Sequence, residues 1–137
     1  VTQIIIADAN LLDAELLSYA LHARDYRHIT IASCFDSLLT AMDAATSMTT
    51  LVVYEDVLGG ADWDGIELLR EVAPTSQILV LGNEVCAERI EKAISNLVYY
   101  APKTLSAAAM IGHIEMIDRT RIANSVFTPL ASVAAIA

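Results

Sequence analysis

An α/β fold is predicted for this chain: a doubly wound (βα)5 parallel sheet with helices on both faces. Three observations predict it. Short apolar runs alternate with amphipathic stretches five times between Gln3 and Ile117. The runs are continuously apolar, as expected of strands covered on both sides, where a half-exposed strand would alternate. Charge collects directly after three of them, at Asp8, at Glu55 with Asp56, and at Lys103. Right-handed crossovers bring such strand ends to one edge, where open parallel sheets carry their ligands and chemistry.

In order along the chain, Gln3-Ile4-Ile5-Ile6-Ala7 is the first strand, and it ends at Asp8. Asn10 with Asp13 three residues on has the spacing of an N-cap and its partner, which predicts a helix from Leu11 to about Ala23. Leu12, Leu16, Leu17, Ala20 and Leu21 are its expected core face. His28 to Ala32 is a more polar strand, placed nearer the sheet edge, and Asp36 to about Ala45 is a helix burying Leu38, Leu39 and Met42. Leu51-Val52-Val53-Tyr54 is the central strand, running into Glu55, Asp56 and a glycine loop. Asp64 and Glu67 have capping-box spacing, so a helix is expected from Asp64, burying Ile66, Leu69 and Val72 and stopped by Pro74. Gln77 to Leu81 is the fourth strand, followed by a helix starting at Asn83 or Glu84 with Ile90, Ala93 and Ile94 inward. Leu97 to Ala101 is the fifth strand. Ser106 caps a last helix bearing Met110, Ile111, Ile114 and Ile117, weakened by Gly112.

The 137 residues suffice for one ordinary domain, and 55% are hydrophobic, which argues against disorder. Seventeen acids against 8 bases leave a net charge of -9, which opposes binding to a nucleic-acid backbone. Cys34 and Cys86 lie far apart, the pattern of two reduced, buried thiols. His22, His28 and His113 lack metal-ligand spacing. No run is long enough to span a membrane and no basic-then-apolar leader is seen, so no membrane contact and a cytoplasmic location are expected. Two segments are expected: residues 1–117 as the globular domain and 118–137 as an apolar extension. From Ile122 on the chain carries no charge. Thr128-Pro129 there has N-cap and first-turn character, with Leu130, Val133 and Ala134 as an apolar face. Such a segment is expected to bury against its own domain or a second subunit, and a homodimer is anticipated.

With strand order 2-1-3-4-5, which is flavodoxin-like, the first and third strands are neighbours, so Asp8 and the Glu55-Asp56 pair converge and Lys103 reaches them from the other side. Such a set suits a phosphoryl group, because carboxylates can hold Mg²⁺, one can be the nucleophile and an ammonium can neutralise phosphoryl oxygens. In this arrangement the chain, from Gln3 to about Ile117, resembles the receiver domains of two-component response regulators. IIIADANLLDAELL is similar to their first strand with its acidic pair, and LVVYED…DWDGIELLREV to the phosphoacceptor strand, loop and following helix. ILVLGN is similar to the fourth strand with its switch position, and YAPK to the aromatic switch and lysine. FTPLASVAAIA resembles the linker of LuxR/NarL-type regulators. The resemblance implies a signalling module, not an enzyme, whose partners are proteins: a histidine kinase, an effector domain or a regulatory partner.

The departures from that pattern shape the functional expectation. The second acid after the first strand is Ala9, and the switch hydroxyl of the fourth strand is replaced by Gly82; Lys103 is followed by Thr104, and Tyr100 holds the aromatic position. Glu55 and Asp56 are both candidates for the acceptor position. Counted from the strand it is Glu55, whereas counted from the loop it is Asp56, a register that leaves Glu55 buried. With Glu55 as the acceptor residue, a Glu55–Lys103 pair is expected to imitate the phosphorylated state. Mg²⁺ on Asp8 and Asp56 is expected to be weak, and no other cofactor is expected. The function expected is an atypical or pseudo-receiver with impaired or absent aspartyl phosphorylation. The alternative is a receiver phosphorylated on Asp56 that controls a transcriptional effector. A dehalogenase-type phosphatase fits poorly, since Asp8-Ala9-Asn10 lacks its second aspartate, and the acidic ADANLLD would repel a flavin phosphate. Trp63 is read as a loop-packing residue or a partner anchor, and one of Tyr99 and Tyr100 is expected to face solvent or an interface.

Overall fold

The computed structural model of the chain describes the backbone of residues 2–126 and the side chains of residues 2–121. Strands β1 (Gln3–Ala7), β2 (His28–Ala32), β3 (Thr49–Tyr54), β4 (Gln77–Gly82) and β5 (Tyr99–Pro102) form one parallel sheet in the order β2-β1-β3-β4-β5. Helices α1 (Leu11–His22), α2 (Phe35–Met42), α3 (Ile66–Val72), α4 (Ala87–Ser95) and α5 (Ala107–Val126) connect and follow them. The fold class and strand order are those expected. Register pairs Ala7 with both Ala32 and Val53, Tyr54 with Leu81, and Gly82 with Pro102, so the C-terminal ends of β1, β3, β4 and β5 lie along one edge.

Alternation along each strand divides the core in two. Ile4, Ile6, Val52, Leu79, Leu81, Tyr99 and Ala101 pack under α1 and α5, which contribute Leu17, Leu21, Ile111, Ile114 and Ile117. Ile5, Ala7, Leu51, Val53, Ile78, Val80 and Tyr100 pack on the other face, under Leu38, Met42, Ile66, Leu69 and Ala93 of α2, α3 and α4. Tyr99 and Tyr100 do point to opposite faces, but both are buried, because the sheet is helix-covered on each side. The expected outward tyrosine is absent.

Several expected faces shift. Helix α1 is capped as anticipated, the Asp13 N–H donating to Asn10 Oδ1 at 3.2 Å, but it buries Ala14, Leu17 and Leu21 and leaves Leu12 and Leu16 largely exposed. The helix carries two apolar stripes and only one can meet the sheet. Val72 and Ile94 are likewise exposed. Helix α3 begins at Ile66 after Gly65, and α4 at Ala87 with Cys86 as N-cap, both later than their carboxylate and amide signals suggested. Cys34 is exposed, and only Cys86 is partly covered, so the reading of two buried thiols is corrected. Both cysteines are N-caps, at the starts of α2 and α4. Helix α5 runs on to Val126, anchored at the opposite edge of the sheet by Tyr26, which donates to Asp118 at 2.6 Å, and by Arg121, which contacts Thr50. The expectations for Thr128 to Ala134 lie outside the described residues.

Candidate functional site

At the C-terminal edge of the sheet the sequence-predicted residues separate into two clusters on opposite faces. On the α1/α5 side, Asp8 follows β1 and is almost fully buried; its Oδ1 accepts the Asn10 N–H at 2.9 Å. Lys103, just past β5, lies with its Nζ 3.0 Å from Asp8 Oδ2 and 3.2 Å from Asp13 Oδ2. The ammonium also stands 3.8 Å above the centre of the Tyr54 ring, a cation–π contact. Partial burial works against the Lys103 charge, but the two carboxylates outweigh it and raise its pKa. The Tyr54 hydroxyl donates to Asn83 Oδ1 at 2.5 Å. Burial, and then the nearby Asp56 carboxylate, raise the pKa of that phenol.

Glu55 is not in this cluster. As the first residue of a 3-10 turn, Glu55–Leu58, it follows Tyr54 and so points to the opposite face of the sheet. Gly59, at φ 102°, closes the turn in a conformation that suits glycine. The Glu55 side chain is 1% exposed and every contact is a donor. Oε1 accepts from the Trp63 indole at 3.1 Å and from Arg89 Nε at 3.2 Å, and Oε2 accepts the Asn83 N–H at 3.1 Å. Burial by itself would push this carboxyl up. The Asn83 N–H, the indole and the guanidinium together hold it below the usual carboxylate range. The expected Glu55–Lys103 pair is therefore replaced by Glu55–Arg89, for a simple reason: strand alternation sends adjacent residues to opposite faces. Asp56, one step further along the turn, is exposed.

Around Glu55 the space between the loop and the strand ends is filled. Trp63 is 1% exposed and holds a left-handed backbone, φ 52°, which is costly for an aromatic residue. Its hydrogen bond to Glu55 and its packing 5.7 Å from the Tyr100 ring offset that cost. It packs inside the loop and is no exposed anchor. The Tyr100 ring is fully buried, its hydroxyl donates to the Glu84 carbonyl, and burial and then Glu55 push its pKa up to about 12. At Gly82 an added Cβ would lie 1.8 Å from the Tyr100 hydroxyl and 2.5 Å from its Cζ. The tyrosine thus occupies the volume that any other residue at Gly82 would claim.

Sequence reasoning missed Arg89. It lies four residues before Ala93 and shares its inward face, a signal that was readable but overshadowed by Ile90 and Ile94.

No family model matches the sequence, and no curated protein matches it. Solved structures do match the fold. A CheY-like receiver domain from Methanospirillum hungatei aligns with TM-score 0.77 at 10% identity, covering 90% of this chain and 98% of that one. The fold is that of a response-regulator receiver domain. A two-component response regulator from Clostridium difficile aligns with TM-score 0.75 at 18% identity, over 87% of this chain and 97% of that one. One from Burkholderia pseudomallei, solved with a phosphorylated aspartic acid, a calcium ion and citrate, aligns with TM-score 0.71 at 18% identity, over 94% and 76% of the two chains.

Proposed function

We propose that this chain is an atypical receiver, a two-component signalling module held in a single switch state that works through contact with another protein. One observation carries the reading: the Tyr100 side chain fills the space of the missing Gly82 side chain, and its ring packs on Trp63, which is tied to Glu55. An ordinary phosphoryl switch needs a hydroxyl on the fourth strand and an aromatic ring free to follow it. Here there is no hydroxyl, and the ring has already taken the inward position.

The acid set supports the same reading. Ala9 offers no carboxylate, Asp8 is engaged by Lys103 and the Asn10 N–H, and Glu55 is saturated by three donors. Among the described residues no three His, Cys, Asp or Glu side chains gather as a metal-binding group. A magnesium ion would be met by Asp8 and Asp56, with Asp13 nearby, and Lys103 would compete with it for Asp8 and Asp13. The partner is a protein, either an effector or a second copy meeting through α5 and the apolar segment beyond it. No enzymatic step is assigned. No described helix is long and apolar enough to cross a membrane.

A second reading, a receiver phosphorylated on Asp56, is favoured by that residue's exposure next to the Tyr54 phenol. An amide NMR spectrum with and without beryllofluoride and Mg²⁺ separates the two. Unchanged resonances around Tyr100 are expected. Large shifts there would overturn the single-state reading in favour of Asp56.

A further inference from the structure

Beneath the Asp8–Lys103 pair a cavity of about 210 Å³ opens between α1 and the start of α5. Ile6 and Val52 of the sheet form its floor, with Ala14 and Leu17 of α1 and Met110 of α5 at its sides. Buried Ala14 contributes only a methyl group to its wall. Leu16 and Ala107 stand exposed at its mouth. Its polar lining consists of Asp8, Asp13 and Lys103.

An apolar cavity of about 150 Å³ is enough to take up benzene. This one is larger, and it has the usual make-up of a small-molecule site, apolar walls with a few polar groups at one end. The charge at that end selects the ligand. Two carboxylates and one ammonium leave a net negative charge, on a chain whose overall charge is -9. An anionic head would face both carboxylates. A cationic head would balance the excess charge, and Asp13, whose side chain is 46% exposed and whose Oδ2 lies 3.2 Å from Lys103, is the carboxylate placed to meet it through its other oxygen. We propose that this cavity binds a small molecule with an apolar, ring-sized body and a cationic amine head. Binding would bury the exposed Leu16 and Ala107 mouth and set a ligand against the same Lys103 that an ordinary receiver would turn toward a phosphoryl group.

The test is an amide NMR titration of the whole chain at neutral pH with benzylamine, benzyl alcohol and benzoate, without magnesium or phosphoryl donor. Benzylamine is expected to shift the amides around Ala14, Leu17 and Met110 saturably, the alcohol to bind several-fold more weakly and benzoate not at all. Asp13→Asn should weaken benzylamine several-fold and leave the alcohol unchanged. Ala14→Leu should fill the cavity and abolish binding; if it does not fold, Ala107→Phe at the exposed mouth gives the same loss with the core untouched. Absence of saturable shifts, equal binding of all three probes, or full binding in the filled or blocked variants would overturn the proposal. Because no phosphoryl group is present, failure here leaves the single-state reading intact. A beryllofluoride response would sink that reading and leave the cavity proposal standing.

Discussion

Lys103 with Asp8 and Arg89 with Glu55 are ion pairs at the same edge of the same sheet, on opposite faces. The Lys103 side chain is 20% exposed and divides itself among Asp8, Asp13 and the Tyr54 ring, so water, salt and alternative partners all compete for it. Glu55 is 1% exposed and takes three fixed donors on two oxygens, inside a shell made by Trp63, Tyr100 and the Asn83 backbone. In the first arrangement the lysine has alternative partners, and the nearly buried Asp8 keeps the Asn10 N–H when Lys103 moves. The second cannot lose a member without leaving a charge in a poor solvent.

The largest test of that contrast is Arg89→Ala, which strands the Glu55 carboxylate and should cost about 3 kcal/mol in chemical denaturation. Lys103→Ala should cost less, about 1–2 kcal/mol: the ammonium is partly exposed and Asp8 keeps the Asn10 N–H, although that carboxylate is itself nearly buried. Equal losses would mean that the two pairs do not differ. Glu55→Gln in the Arg89→Ala background should recover part of the loss, because it removes the unpaired charge.

Next in size is Gly82→Thr, expected to destabilise by about 2 kcal/mol through overpacking against Tyr100. The same substitution in a Tyr100→Ala background should cost much less, and the coupling energy from the double-mutant cycle measures the shared volume. Additive effects would show that the two side chains do not compete.

A smaller effect should appear with pH. The Glu55 carboxyl is held below its unfolded value of about 4.3, so its contribution is complete above that pH and is lost as pH falls through the folded value. In the Lys103 cluster the folded pKa is raised, so its contribution is complete below about 10.4 and is lost as pH rises through the folded value. Denaturation curves in the acid range should therefore separate wild type from Glu55→Gln, and those in the alkaline range should separate it from Lys103→Ala. The smallest effect is that of salt. In 1 M NaCl the cost of Lys103→Ala should shrink, because Lys103 and Asp13 are partly exposed, whereas that of Arg89→Ala should persist.

The sheet and its charged edge were legible in the sequence, because strands buried on both faces read as apolar runs and charge follows three of them, while the strand order came with the resemblance to receiver domains. Asp8, Lys103, Gly82 and Tyr100 could be assigned to that edge for the same reason. The direction of Glu55 was not legible from chain spacing, since a one-residue difference in where β3 ends turns its carboxylate from one face to the other. Arg89 was hidden because a cation on an amphipathic helix normally faces water. Only a buried carboxylate across the fold, thirty-four residues away in sequence, makes its inward face favourable. The exposed second stripe of α1 and the alanine-walled cavity beside it have the same origin. Sequence sets which residues are apolar and how often they recur, and tertiary packing decides which of two equal stripes meets the sheet and how much space a small side chain leaves unfilled.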